Sequence, residues 1–150
     1  LNIIEIEKKH GKYINEILYL EKESFGELGA VDIWLLKPFI KYGKVLALQD
    51  ENNKIIGVAE FIRGFDGNIA YIYGICIHKK ERGKGRGKIF LQEIKEYMNK
   101  KNIEKLELTV SPNNTGALNL YKGAGFEIIE ELKDEYGQGE DRVLMRCNLK

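Results

Sequence analysis

From Lys79 to Lys88 the chain reads Lys-Lys-Glu-Arg-Gly-Lys-Gly-Arg-Gly-Lys, with glycines at 83, 85 and 87. Glycine at these places lets backbone N–H groups come close to a ligand. Lys79, Lys80, Arg82, Lys84, Arg86 and Lys88 surround those groups with positive charge, and Glu81 alone opposes them. A strand-like segment precedes the loop, and a helical pattern follows from Ile89. The loop therefore ends at a helix N-terminus, where unpaired N–H groups and the helix dipole favour an anion. This chemistry suits a phosphate or a pyrophosphate. A solvated basic turn would have the same composition, so the motif alone is only moderately specific.

Two known phosphate loops do not fit. A Walker loop needs Ser or Thr after Gly-Lys, and Gly87-Lys88 is followed by Ile89. The dinucleotide fingerprint needs one more residue between its glycines than Gly83, Gly85 and Gly87 allow. A second cluster lies downstream, from Asn114 through Tyr121 to Phe126. Tyr121 is a phenol with an ordinary pKa of about 10, able to give a proton at neutral pH. Taken alone, it would read as a core aromatic.

These residues need a frame. Asn2–Glu7 alternates as a strand, and His10–Phe25 carries the apolar stripe of a helix. Val31–Tyr42 predicts a second helix, with Pro38 arguing against its continuity. Lys44–Leu48 and Lys54–Ile62 predict strands joined by the turn residues Asp50–Asn53. Ile69–His78 is β-rich. Ile89, Phe90, Ile94, Tyr97 and Met98 mark a helix ending near Asn102. Lys105–Val110 alternates as a strand. Asn113 or Asn114 caps a helix through Ala117, Leu118, Leu120 and Tyr121 that stops at Gly123 or Gly125. Phe126–Leu132 and Arg142–Leu149 predict the last strands. The order indicates an α/β or α+β sandwich around one mixed sheet. With no repeat and no Pro/Gly-rich linker, residues 1–150 read as a single domain.

Arg82-x-x-Gly85-x-Gly87, after a strand and before a helix, resembles the pyrophosphate signature of the GNAT superfamily of N-acetyltransferases. Asn114-Thr115-Gly116-Ala117-Leu118-Asn119-Leu120-Tyr121-Lys122-Gly123-Ala124-Gly125-Phe126 is similar to that family's Asn-x-x-Ala-x-x-Leu-Tyr-x-x-x-Gly-Phe pattern. The two stand in the family's order and span Ile69 to Phe126. The resemblance implies a mostly antiparallel central sheet flanked by helices, with splayed central strands. It implies acetyl-CoA as cosubstrate and an amine as acceptor.

Residue by residue, the resemblance gives the main chain of Ile75, Cys76 and Ile77 to the pantetheine arm. It gives Arg82, Gly83, Lys84, Gly85, Arg86, Gly87 and Lys88 to the pyrophosphate, and Asn114 to the pantetheine arm. Tyr121 is placed beside the thioester sulfur as general acid. A backbone N–H near Ile75 would face the oxyanion. In the ribosomal-protein alanine N-acetyltransferases, which the chain partly resembles, a strand glutamate before the second motif is the base. Thr109 stands at that position and cannot serve. Glu107, on the same strand face, and Glu60, late in the hairpin, are the carboxylate candidates. Each also reads as a surface strand carboxylate. A water relay ending on a backbone carbonyl or on Tyr73 is the other route.

Composition narrows the alternatives. The chain has 150 residues, 43% of them hydrophobic and 31% charged, at a net charge of +1. That balance argues against nucleic acid as a partner. No apolar run reaches the ~18 residues of a membrane span, and acidic residues break any leader at the N-terminus. The expectation is a soluble, cytoplasmic protein. Cys76 and Cys147 read as buried free thiols, and with only His10 and His78 there is no metal spacing.

The acceptor is expected to be a small molecule or a protein or peptide amine, with a homodimer compatible. Glu23, Glu27 and Asp32, or Asp134, Glu135, Glu140 and Asp141, could meet a cationic amine. The segment Tyr136–Asp141 has the glycines of a loop that closes. Solvated loop charge accounts for these residues equally well. Trp34 and Phe39 are expected in the core rather than in an acceptor pocket. A CoA-binding module without turnover is the main competing reading, and a small nucleic-acid-binding domain the weaker one.

Overall fold

The hairpin predicted around Asp50 forms because that side chain organises its own turn. Asp50 Oδ1 accepts from the N–H of Asn52 and of Lys54, at 2.9 and 3.0 Å. Asn53 takes the left-handed conformation, φ 61°, which asparagine tolerates better than most residues. The computed structural model describes residues 1–150. The strands are β1 (Asn2–Glu5), β2 (Lys44–Gln49), β3 (Ile55–Arg63), β4 (Ile69–Ile77), β5 (Lys105–Val110), β6 (Glu127–Leu132) and β7 (Arg142–Asn148). The helices are α1 (Ile14–Gly29), α2 (Ile33–Tyr42), α3 (Arg86–Lys100) and α4 (Thr115–Gly123). The strands hydrogen-bond in the order β1-β2-β3-β4-β5-β7-β6. This is the mixed, mostly antiparallel sheet with helices that the sequence implied. No helix is long and apolar enough to cross a membrane.

The chain divides into two compact units. The first comprises Leu1–Ile62 and Ile72–Ile94. Here β1 pairs antiparallel with β2, and β2 with β3. Ile17 and Leu20 of α1 and Leu36 of α2 cluster with Val45, Ala47, Val58 and Cys76 of the strands. Each buried Val, Leu or Ile of this cluster contributes about 1.5–3 kcal/mol relative to exposure. Gly57 of β3 lets Ile77 and Phe90 close in. A Cβ there would lie 2.9 Å from Ile77 Cδ1 and 3.3 Å from the Phe90 ring.

The second unit comprises Arg63–Tyr71 and Lys95–Lys150. The start of β4 pairs parallel with β5, from Ile69 opposite Lys105 to Tyr71 opposite Glu107. β5 pairs antiparallel with β7, and β7 with β6. Alternation is clean in β5: Leu106, Leu108 and Val110 are buried while Lys105, Glu107 and Thr109 are half-buried. Met145 and Cys147 of β7 and Phe126 join the buried set of this unit. β6 bulges between Ile128 and Glu130 and is exposed along nearly its whole length.

Four local readings change. A short 3-10 segment, Lys8–Tyr13, precedes α1, and α1 itself continues past Phe25 with a break at Gly26, φ 74°. α2 runs unbroken through Pro38, because the carbonyl its missing N–H would have bonded belongs to Trp34, on a solvent-facing position. Trp34 is 84% exposed, so the core expectation fails for it and holds for the buried Phe39. The last loop is braced from within. Asp134 donates its N–H to Asp141 Oδ1 at 2.8 Å and accepts from the Gly139 N–H at 2.8 Å. The Arg142 guanidinium also covers the Tyr136 ring.

Candidate functional site

In the first unit, β4 runs out at Ile77 and the chain turns through Lys79–Glu81 into the glycine loop. Gly83 and Gly85 hold left-handed backbone, φ 76° and 77°. An added Cβ at either would meet nothing within 4 Å. These glycines are therefore kept for their backbone geometry and not to relieve a clash within the protein. α3 begins at Arg86, earlier than the apolar pattern implied, so Gly87 and Lys88 lie in its first turn. The N–H groups of that turn have no helical partner, and the first N–H bonded back into the loop is Ile89 to Gly85 O, at 3.2 Å. Open space over two left-handed glycines, ending at free helix N–H groups, fits a pyrophosphate.

The basic side chains around the loop do different things. Arg82 donates from Nε to Ile77 O at 2.9 Å and from Nη2 to Ser24 Oγ at 3.1 Å. It thus ties the end of β4 to α1. Lys84 and Arg86 both approach the Glu81 carboxylate, at 3.5 and 3.4 Å. Cys76 is buried among Glu21, Ser24 and Glu60, and burial pushes its thiol far above the ordinary range. It is no nucleophile, and both cysteines are free and buried.

The expected acidic acceptor groups are largely engaged. Glu23 Oε1 accepts from the Lys79 N–H at 3.1 Å, and that bond holds its carboxyl below the usual range. Glu27 pairs with Lys22 at 2.7 Å. Asp32 caps α2 by accepting from the Leu35 N–H at 3.1 Å. Phe39 stacks at a tilt on Tyr73 of β4, centroids 5.1 Å apart.

One group in this unit was not anticipated. Glu60 of β3 and Glu21 of α1 are both 0% exposed. Glu21 Oε2 accepts from the Val31 N–H at 3.1 Å. Glu21 Oε1 and both Glu60 oxygens have no hydrogen-bond donor. The signal for Glu21 was in the sequence: it continues the stripe of Ile14 and Ile17 at helical spacing. The surface reading of Glu60 is overturned by its burial.

In the second unit, Asn114 caps α4. Its Oδ1 accepts from the Ala117 N–H at 3.1 Å, which leaves its NH₂ group to donate. Asn113 is not the cap. Tyr121, in the last turn of α4, packs its ring against Phe126 with centroids 5.9 Å apart. Burial pushes its phenol up to about 12. Glu107 is held twice by Arg146, whose Nε and Nη2 reach Oε2 at 2.8 and 2.6 Å. Thr109 shares a hydrogen bond of 3.0 Å with the phenol of Tyr71.

Known proteins carry the same arrangement of elements. A ribosomal-protein-S18-alanine N-acetyltransferase from Escherichia coli superposes with a TM-score of 0.81 at 17% identity, covering 99% of this chain and 94% of that one. A spermidine N-acetyltransferase from Vibrio cholerae gives 0.81 at 21%, covering 99% and 95%. A Bacillus subtilis acetyltransferase solved in complex with CoA gives 0.79 at 18%, covering 100% and 99%. At these identities the likeness is one of fold.

In sequence, the chain is 34% identical over 80 residues to an N-alpha-acetyltransferase of Sulfurisphaera tokodaii, 53% of this chain and 48% of that protein. A second relative, the UPF0157 protein YqkA of Bacillus subtilis, is 33% identical over 89 residues, 58% of this chain and 24% of its own length. The matches thus span about half of the first relative and a quarter of the second. The acetyltransferase (GNAT) family profile matches residues 14–126, a stretch that runs from α1 through the glycine loop to Phe126. With both motifs inside that match and the fold shared along the whole chain, the protein belongs to the GNAT acetyltransferase family.

Proposed function

We propose that this chain transfers the acetyl group of acetyl-CoA to a primary amine by direct attack on the thioester. The observation that carries the reading is the loop at Gly83 and Gly85, left-handed and open, leading into the free N–H groups of α3. Residues Arg82–Lys88 bind the pyrophosphate through the main chain, with Lys84, Arg86 and Lys88 adding charge. The main chain of Ile75, Cys76 and Ile77 and the NH₂ of Asn114 hold the pantetheine arm. Residues 1–150 serve as one domain, since β4 and α3 each run from one unit into the other.

The amine must lose a proton, then its nitrogen bonds to the thioester carbon. A main-chain N–H near Ile75 stabilises the oxyanion. When the carbon–sulfur bond breaks, the thiolate is met by the Tyr121 phenol, which keeps its proton across the neutral range. Of the two carboxylate candidates for the base, Glu107 is engaged by Arg146, and Glu60 has no such cation. The absence of a glutamate at Thr109 speaks against an N-terminal alanine as the acceptor.

The test is calorimetric binding of acetyl-CoA, followed in the same samples by free-thiol release against small amines and peptides. Binding with amine-dependent thiol release is the expected result. No binding overturns the reading. Binding without release from any amine favours a CoA-binding module.

A further inference from the structure

Two carboxyl groups, fully out of water, meet inside the first unit with three oxygens that no donor satisfies. Glu21 is close enough to Glu60 for its hydrogen bonding and charge to raise the proton affinity of Glu60. Two buried like charges side by side resist ionising together, so the second proton leaves only at raised pH. A proton between them supplies the missing donor and leaves the pair with one negative charge. No cation neutralises it at contact distance. Around the pair, α1 supplies Ser24 and β4 supplies Cys76, with the Arg82 guanidinium beyond them. β2 supplies the apolar Val45, opposite Glu60 in register.

The pair lies against β4 at a glycine. Gly74 of β4 is half-buried, and a Cβ built on it would lie 2.9 Å from Glu60 Oε2, with no other atom within 4 Å. A side chain at 74 would thus stand against that oxygen, and glycine leaves the position unfilled. It lies one residue before Ile75, where the proposed oxyanion N–H and the pantetheine segment begin.

Resting on the acetyltransfer reading, we propose that Glu60 takes the proton the acceptor ammonium must lose, across Gly74, and that Glu21 is the positioning residue sharing that proton. In the reactive form both carboxyls are ionised. The ammonium nitrogen gives one proton to Glu60 Oε2, directly or over one water, and keeps its electron pair for the thioester carbon. The proton then lies between Glu60 and Glu21 and leaves to solvent before the next turnover. Burial first, and then the hydrogen bond and charge of Glu21, raise the proton affinity of Glu60 well above the carboxylate range. That brings it nearer to an amine, as a general base requires.

Two measurements decide it, both on the full chain. The first is an infrared pH titration without acceptor. A protonated carboxyl band persisting to neutral pH is expected, lost in Glu60→Gln. Its absence in the wild type, or its survival in Glu60→Gln, overturns the shared proton. The second is the pH profile of kcat/KM with any amine that is turned over. Glu60→Gln should lower the high-pH plateau on the order of 10²-fold with acetyl-CoA affinity unchanged.

Glu21→Gln, whose amide oxygen can still accept from Val31, should move the rising limb to lower pH by about one unit. The ionisation of the amine itself cannot move with residue 21, and neither can a merely structural carboxylate. A limb unchanged in Glu21→Gln overturns the role, and this variant carries the test if Glu60→Gln does not fold. Turnover with no amine at all would remove the acetyltransfer reading and the role with it, while the infrared arm still decides the shared proton.

Discussion

Tyr121 and the loop glycines make separable demands on the same reaction. The phenol, held at about 12 by burial, stays protonated at every working pH, so its contribution is a proton and not a charge. Tyr121→Phe keeps the ring packed on Phe126 and removes only the hydroxyl. We expect kcat to fall on the order of 10²-fold with acetyl-CoA affinity nearly unchanged, measured by thiol release and calorimetry. Equal turnover would remove Tyr121 as the acid. Gly85 acts through its backbone, φ 77°. Gly85→Val has room for its side chain but not for that φ, a strain of roughly 1–2 kcal/mol. Relaxing it turns the loop N–H groups away, and acetyl-CoA binding should weaken on the order of tenfold. Unchanged affinity would contradict the cradle.

At the scale of elements, most of the frame could be read from periodicity, and the exceptions have physical causes. The β2–β3 hairpin and the Asn114 cap follow from local side-chain bonds, which a sequence displays, whereas Asp32, read as an acid for the acceptor, caps α2. α2 crosses Pro38 where the residue four positions back, Trp34, stands on the exposed side, which depends on which side of the helix is buried. Glu60 looked like a surface residue because β3 is buried on both faces from Ile55 to Phe61, and alternation carries no information in such a strand. Its partner Glu21 sits on another element, so no local pattern pairs the two.

The junction of α2 with β2 is equally non-local. A Cβ on Gly43 would run into the carbonyl oxygen of Phe61 and stand 3.2 Å from the Phe39 ring. Gly43→Ala should therefore destabilise the fold by roughly 1–3 kcal/mol, read as a lower urea midpoint at unchanged m. An unaltered midpoint would mean that the α2–β2 corner yields.

For the molecule as a whole, the buried carboxyl pair links stability to pH. Glu60 holds its proton more tightly folded than unfolded. The folded chain therefore binds more protons at any pH between the unfolded carboxylate value, about 4.3, and the raised one. Its stabilising contribution is complete below that window and is lost as pH rises through the folded value. Thermal midpoints should decline across this range in the wild type and vary less in Glu60→Gln. Parallel profiles would show that the pair is ionised in the fold. This coupling lay beyond the reach of composition: a net charge of +1 says nothing of where a carboxyl is hidden. The family motifs, by contrast, were legible because their chemistry is backbone chemistry, and glycine spacing records it directly.

Trp34 is the only tryptophan of the chain, and it stands on the outside of α2, 84% exposed. The molecule thus carries a single optical reporter that already looks into water before anything unfolds. Its emission should shift little on denaturation, so a fluorescence melt should look featureless while circular dichroism follows the loss of the fold. The same placement makes it responsive to what arrives from outside. A blue shift or quench on adding an acceptor would mark contact with α2, with no label attached, while acetyl-CoA alone should leave it silent.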